Sequence, residues 1–330
     1  MSRDIRLTAR WAAAERGRYG PGVSRTYHVF INDAAGSVGE PEQQVRDITE
    51  AFGAVGVGAT VESIDPDRLP DAMRAAWKHG VDAIVVAGGD GTISSAAEVA
   101  VADEMVLGVL PMGTFNHFAK DLGMTADLAE ATRFLAEAEV VPVDVGDVNG
   151  KIFVNNASIG VYPTMVTERD DLRERRGWGK VRAAPVAIVR TLRRLPVHHL
   201  QLVVDGSPPV TIDTPFLFVG NGLFDERGER VGQRTSLTDH RLGVYVIATT
   251  SRWRLVANAI KMRVGGIRAA AETERRAGET LIVKTDEPTL AIALDGEPTD
   301  LRPPLTFRSR AGALRVLALP GRDLLDGPEG

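Results

Sequence analysis

Apolar residues along the first 140 positions follow two rhythms. Short continuous runs at 27–31, 59–64, 83–87 and 106–110, rich in β-branched residues, predict buried strands. Between them, 67–79, 93–102 and 127–138 predict helices, the first with Leu69, Met73, Ala76 and Trp77 at helical spacing. Strands alternating with amphipathic helices are the signature of βα units wound about a parallel sheet, so 26–142 is expected to be a doubly wound α/β domain. Beyond it the rhythm shortens to alternation of period two broken by turn residues, as in 143–148, Asn149-Gly150 and 151–155. An all-β second domain is expected at 143–320, with further strands at 200–204, 216–220, 242–248, 281–285, 290–294 and 314–319. Two stretches there, 181–194 and 253–264, read as helices, and 1–25 and 321–330 read as tails.

Composition narrows the function classes. A chain of 330 residues exceeds what one ordinary core supports, and 44% hydrophobic with 25% charged residues fits a globular protein. No apolar run approaches the roughly 20 residues needed to span a bilayer. Arg3, Arg6, Arg10, Glu15, Arg16 and Arg18 interrupt the start, which argues against a signal peptide and for a cytoplasmic location. The absence of cysteine excludes disulfides, thiolate metal sites and a cysteine nucleophile, and the net charge of −5 argues against a nucleic-acid partner. The six histidines lack metal-ligand spacing. There is no P-loop, and Gly56-x-Gly58 lacks the third glycine of a dinucleotide fingerprint.

The chemistry concentrates where the 83–87 run meets Gly88-Gly89-Asp90-Gly91-Thr92 and a predicted helix beginning with Ile93 and Ser94. A glycine turn at the carboxyl end of a parallel strand lets main-chain N–H groups approach phosphate oxygens, and the helix start adds favourable partial charge; taken alone, the glycines could equally only make a turn at the sheet edge. Asp90 is unexpected in a plain anion site and points to a divalent cation between carboxylate and phosphate, hence to Mg²⁺ and ATP. The next strand ends in Pro111-Met112-Gly113-Thr114-Phe115-Asn116, so Thr114 and Asn116 are brought toward the same ligand; alternatively Thr114 caps a helix. Asp295-Gly296 after an apolar run is, on spacing alone, an ordinary hairpin turn.

In combination, Gly88 to Thr92 and the run Leu-Gly-Val-Leu-Pro-Met-Gly-Thr-Phe-Asn-His-Phe-Ala at 107–119 resemble the catalytic domain of diacylglycerol kinases, with their bacterial lipid kinase relatives and the sphingosine kinases. The resemblance continues through 153–160, Val219-Gly220-Asn221, 237–242 and Asp295-Gly296-Glu297, and so covers most of 26–319. It implies a nucleotide-binding α/β domain followed by a β-sandwich-like domain, with ATP between the two and its phosphates on Gly88 to Thr92. Thr114 would also touch nucleotide, and Ser63 falls near a threonine that does so in relatives. Asn32 and Gly36 keep two positions of a loop whose usual proline is here Asp33. Asp295 would accept the proton of a lipid hydroxyl, with Glu297 completing the triplet. Asp239, with the carbonyls of Ser236 and Arg241, matches a structural Mg²⁺ position in some relatives, although His240 stands where they carry glycine. Ser94-Ser95 replaces the Asn-Glu that many relatives carry.

The expected activity is transfer of the γ-phosphoryl group of ATP to a lipid hydroxyl, of diacylglycerol or sphingoid type. NAD kinases and phosphofructokinases share the Gly-Gly-Asp-Gly turn, which leaves a soluble acceptor as an alternative. Asp33, Ser95 and His240 motivate another, a nucleotide-binding regulatory protein without turnover. The arginines at 173, 175, 176, 182, 190, 193 and 194 suit either a solvated helix face or anionic headgroups at the inner membrane surface. Sequence leaves the oligomeric state, including a homodimer, open.

Overall fold

The computed structural model describes residues 25–32, 40–161, 163, 196–225, 234–247, 251 and 273–319. The predicted helices at 181–194 and 253–264, candidate Gly36 and segments 1–24 and 320–330 lie outside them. The chain forms two compact units. The first runs to Val145 and also takes in Ser236–Asp239 and the chain from Arg310; the second comprises Gly146–Thr235 and His240–Ser309. The linear division at 142/143 therefore gives way to an interleaved one.

In the first unit, strands β1 (Thr26–Asn32), β2 (Gly58–Ile64), β3 (Ala83–Gly88) and β4 (Val106–Pro111) are parallel in the order β2-β1-β3-β4. The connections carry helices α1 (Pro41–Ala54), α2 (Leu69–Lys78) and α3 (Asp90–Ala102), followed after β4 by α4 (His117–Asp121) and α5 (Leu128–Glu137). Every residue of β3 is buried, as befits a central strand that reads as one apolar run. The predicted 67–79 helix is divided: a 3₁₀ turn at Pro66–Arg68, whose Asp65 side chain accepts from the Asp67 N–H, precedes α2. Pro70 has no N–H to continue a preceding turn, so the helix restarts there. The chain leaves β1 toward β2 and leaves β3 in the opposite direction, toward β4, which opens a crevice at the carboxyl ends of β1 and β3.

Arg25, placed by the sequence reading in a tail, is 5% exposed. Its guanidinium donates to the Ala138 carbonyl at 2.7 Å and the Leu135 carbonyl at 3.3 Å, and Tyr27 Oη donates to the latter at 2.9 Å. A cation thus closes the carboxyl end of α5, where main-chain carbonyls lack helical partners.

The remaining strands are β5 (Glu139–Val148), β6 (Lys151–Phe153), β7 (Asn156–Gly160), β8 (His198–Val204), β9 (Val210–Thr214), β10 (Phe216–Asn221), β11 (Leu242–Ile247), β12 (Thr273–Gly278), β13 (Thr280–Lys284), β14 (Leu290–Leu294), β15 (Glu297–Leu301) and β16 (Leu305–Ala318). One antiparallel sheet of the second unit has the order β12-β11-β10-β7-β14-β15. The other pairs the start of β16 with β13, β13 with β8 and β8 with β9. Ile159, Leu217, Val244 and Ile292 of the first sheet share a core with Leu202, Leu281 and Phe307 of the second. The alternating pattern predicts an all-β domain here, and the two facing sheets make it the sandwich that the resemblance implies. Farther along β16, Arg315 and Val316 pair parallel with Val106 and Leu107, so one strand serves both units. Among the described residues no helix is long and apolar enough to cross a membrane.

Candidate functional site

Two polar constructions contain most of the described candidate residues. In the first unit, the helix predicted from Ile93 already starts at Asp90, with Gly89 as its N-cap. No side chain caps that end, which leaves its first N–H groups in the arrangement by which helix starts can accept an anion. A Cβ on Gly88 would stand 2.7 Å from Thr92 Cβ, which explains the glycine. Asn32, at the end of β1, donates through Nδ2 to Thr92 Oγ1 at 2.6 Å and ties that strand end to the first turn of α3 beside the crevice.

The second loop is pressed against the first. A Cβ on Gly113 would lie 2.5 Å from Gly89 Cα, and Met112 N–H donates to the Gly88 carbonyl at 3.0 Å. Asn116, buried and in the left-handed region at φ 52, spends its amide within its own loop. Its Oδ1 accepts from Gly113 N–H at 2.9 Å and its Nδ2 donates to the Gly113 carbonyl at 2.8 Å. Asp90 completes the joint: its carboxylate accepts from the N–H groups of Asn116 at 2.9 Å and His117 at 2.7 Å. The carboxylate that the sequence reading paired with a cation therefore has main-chain donors as partners. Asn116 shapes the loop, and Thr114 stands exposed rather than capping α4, whose N-cap is Asn116.

Phe115 is 64% exposed on the same loop, its ring parallel to His117 at 5.7 Å between centroids. Ile93 faces the core and its N–H is used by the Gly89 carbonyl, which removes it from the set able to touch a ligand. Ser94 is half-buried one residue on. Ser63, on β2, has its hydroxyl shielded without a hydrogen-bond partner. A cavity of about 230 Å³ lies nearby between α1, the end of β4 and α5, floored by Ile48, Leu110 and Met112.

In the second unit, Asp295 and Gly296 have φ 49 and 96, the two-residue hairpin conformation, between β14 and β15. The hairpin reading holds, and the Asp295 carboxylate also accepts three main-chain hydrogen bonds. Val154 N–H reaches Oδ2 at 2.8 Å, and those of Asn155 and Asn156 reach Oδ1 at 2.7 and 2.9 Å. Buried Asn221 donates from Nδ2 to the Val154 carbonyl at 3.0 Å. Three segments distant in sequence, 153–160, 219–221 and 295–297, thus meet at one turn. Glu297 starts β15 with an exposed side chain. Arg234, which the sequence does not single out, donates to the same turn; one of three arginines in the polar stretch 225–234, it carries no signal that separates it from the other two.

At the Ser236–Arg241 turn, His240 takes φ 56, the conformation for which glycine is the ordinary choice. Ser236 Oγ accepts from Thr238 N–H at 3.0 Å, and the Arg241 carbonyl accepts from Gly222 N–H at 2.9 Å. Among the described residues no three His, Cys, Asp or Glu side chains converge as metal ligands. One carboxylate with two main-chain carbonyls makes at most a weak, water-rich cation site.

Comparison with known families matches residues 26–148 to the diacylglycerol kinase catalytic domain and residues 161–318 to the YegS C-terminal NAD kinase beta sandwich-like domain. A "probable lipid kinase YegS-like" protein of Pseudomonas aeruginosa strain PAO1 is 30% identical over 285 residues, spanning 84% of this chain and 89% of that one. A "diacylglycerol kinase" of Mycobacterium tuberculosis strain H37Rv is 29% identical over 190 residues, 56% of this chain and 60% of its own. Among solved structures, a diacylglycerol kinase of Bacillus anthracis strain Sterne superposes with a TM-score of 0.65 at 20% identity, over 90% of this chain and 97% of that one, a likeness of fold.

Proposed function

The chain belongs to the diacylglycerol kinase catalytic-domain family, and from that premise we propose that it transfers the γ-phosphoryl group of ATP to the hydroxyl of a diacylglycerol-like or sphingoid lipid. The observation that carries this reading is the joint between the two loops of the first unit. Gly89 and Gly113 touch main chain to main chain, and Asp90 ties the second loop to the uncapped start of α3. A phosphate there meets N–H groups already in place, and prior positioning is most of what phosphoryl transfer asks of a protein.

Asp295 is the proposed acceptor of the hydroxyl proton. Three main-chain donors fix its orientation, and a loose phosphoryl-transfer transition state needs little basicity from it. Mg²⁺ would enter with the nucleotide and neutralise phosphate charge. Ser63 and Thr114 remain proposed nucleotide contacts, and Asp239 with the Ser236 and Arg241 carbonyls a proposed secondary cation position. Exposed Phe115 suits the headgroup region of a bilayer, which supports peripheral contact with the membrane that holds the substrate.

The test is incubation with Mg²⁺, γ-labelled ATP and a total lipid extract in mixed micelles, comparing wild type with Asp90→Ala and Asp295→Asn. Organic-soluble label formed by the wild type and reduced at least about 100-fold in both variants is the expected result. ATP binding without labelled lipid would instead favour a soluble acceptor or a nucleotide-binding protein without turnover.

A further inference from the structure

In the second unit, the turn between β6 and β7 is held on both sides of its peptide groups. The Val154 carbonyl and the Asn155 N–H belong to one rigid plane. Its oxygen accepts from Arg234 Nη1 as well as from Asn221, while its hydrogen goes to Asp295 Oδ1. A cation and an anion therefore grip opposite ends of a single planar unit. The next plane repeats the arrangement with a neutral donor: the Asn155 carbonyl accepts from Asn221 N–H at 3.0 Å, and Asn156 N–H goes to Asp295 Oδ1. Arg234 Nη2 further donates to Asn155 Oδ1 at 3.2 Å, and Nη1 to the Asn221 carbonyl at 3.2 Å.

We infer that Arg234 is a positioning residue for Asp295, acting through the Val154–Asn155 peptide plane. The inference rests on the proposed role of Asp295. Planarity supplies the physics, since a rigid plane cannot present its N–H to Asp295 at one angle while its carbonyl swings to another. A planar guanidinium that contacts the Val154 carbonyl, the Asn221 carbonyl and the Asn155 side chain together fixes that angle more firmly than one amide donor can. Removing it leaves Asn221 on the Val154 carbonyl, so the turn persists while its N–H groups splay and the Asp295 carboxylate loses its aim. Misplacement by about 1 Å costs on the order of 100-fold in rate.

The experiment compares wild type, Arg234→Met, Arg234→Lys, Asp295→Asn and the Arg234→Met/Asp295→Asn double variant in the lipid kinase assay, with amide resonances of ¹⁵N-labelled full-length protein. Arg234→Met is expected to lower kcat about 10- to 100-fold with KM for ATP unchanged, and Arg234→Lys to recover part of the loss. The double variant should be no slower than Asp295→Asn alone, because the arginine acts through the carboxylate. The Asn155 and Asn156 amide signals should move in Arg234→Met while those of the first unit stay in place. Multiplicative losses in the double variant, a KM effect without a kcat effect, or unmoved Asn155 and Asn156 signals would each overturn the inference. If the wild type phosphorylates no acceptor, the proposed function falls, and the amide signals alone decide whether Arg234 orients the donors to Asp295.

Discussion

At the residue scale the account depends on close approaches that admit no spare atom. Gly113→Ala would drive a methyl group to 2.5 Å from Gly89 Cα, main chain against main chain, so the two loops must part. Loss of ATP affinity by at least about tenfold is expected in calorimetric titration, at a cost in stability of only about 1–3 kcal/mol by thermal melting. Unchanged affinity would mean that the apposition of the loops is incidental. Asp90 shows what sequence hides at this scale. Glycines and a carboxylate in one turn pointed to phosphate chemistry with a cation, but the carboxylate's partners are N–H groups 26 and 27 residues onward. Main-chain donors have no letter in a sequence, and a cation was the natural partner to expect. The same holds for Asp295 and its donors 139 to 141 residues away.

Elements were legible where burial is two-sided. Strands β1, β3 and β4 read as apolar runs because helices cover both faces of a parallel sheet. Strands β7, β9, β12 and β15 and the first half of β16 were missed. Val210–Thr214 and Glu297–Leu301 expose charged side chains, and Thr273–Gly278 carries Glu274, Arg275 and Arg276, so their pattern resembles that of loops. The Arg25 and Tyr27 contacts with α5 make a prediction at this scale. Burial pushes the Tyr27 hydroxyl above its usual range, opposed in part by the Arg25 guanidinium. A group whose folded pKa is raised holds its stabilisation below its unfolded value and gives it up as pH rises through the folded one. Chemical denaturation should therefore show stability falling above about pH 10, with a shallower fall in Tyr27→Phe. Arg25→Ala should cost about 1–3 kcal/mol by the same measurement, since two helix-end carbonyls lose a charged donor. Equal alkaline slopes in wild type and Tyr27→Phe would contradict the assignment.

For the whole molecule, the two-domain division was readable from the change of rhythm near 140, but its interleaving was not. Leu314, Val316, Leu317 and Ala318 are fully buried, and a strand at the far end of the chain pairs with β4 of the first unit. Apolar residues there announce a strand without naming the sheet it joins. A fragment ending at 142 is therefore expected to lack a cooperative melt, and one that adds 310–319 through a linker to regain it. Cooperative melting of the shorter fragment would show the last strand to be dispensable. The central claim, phosphoryl transfer to a lipid, is met most directly by supplying pure acceptors one at a time with Mg²⁺ and γ-labelled ATP, and identifying the labelled product by mass. Monophosphorylated diacylglycerol or sphingoid lipid, with NAD unlabelled, is the predicted result; labelled NAD with every lipid unchanged would contradict the account.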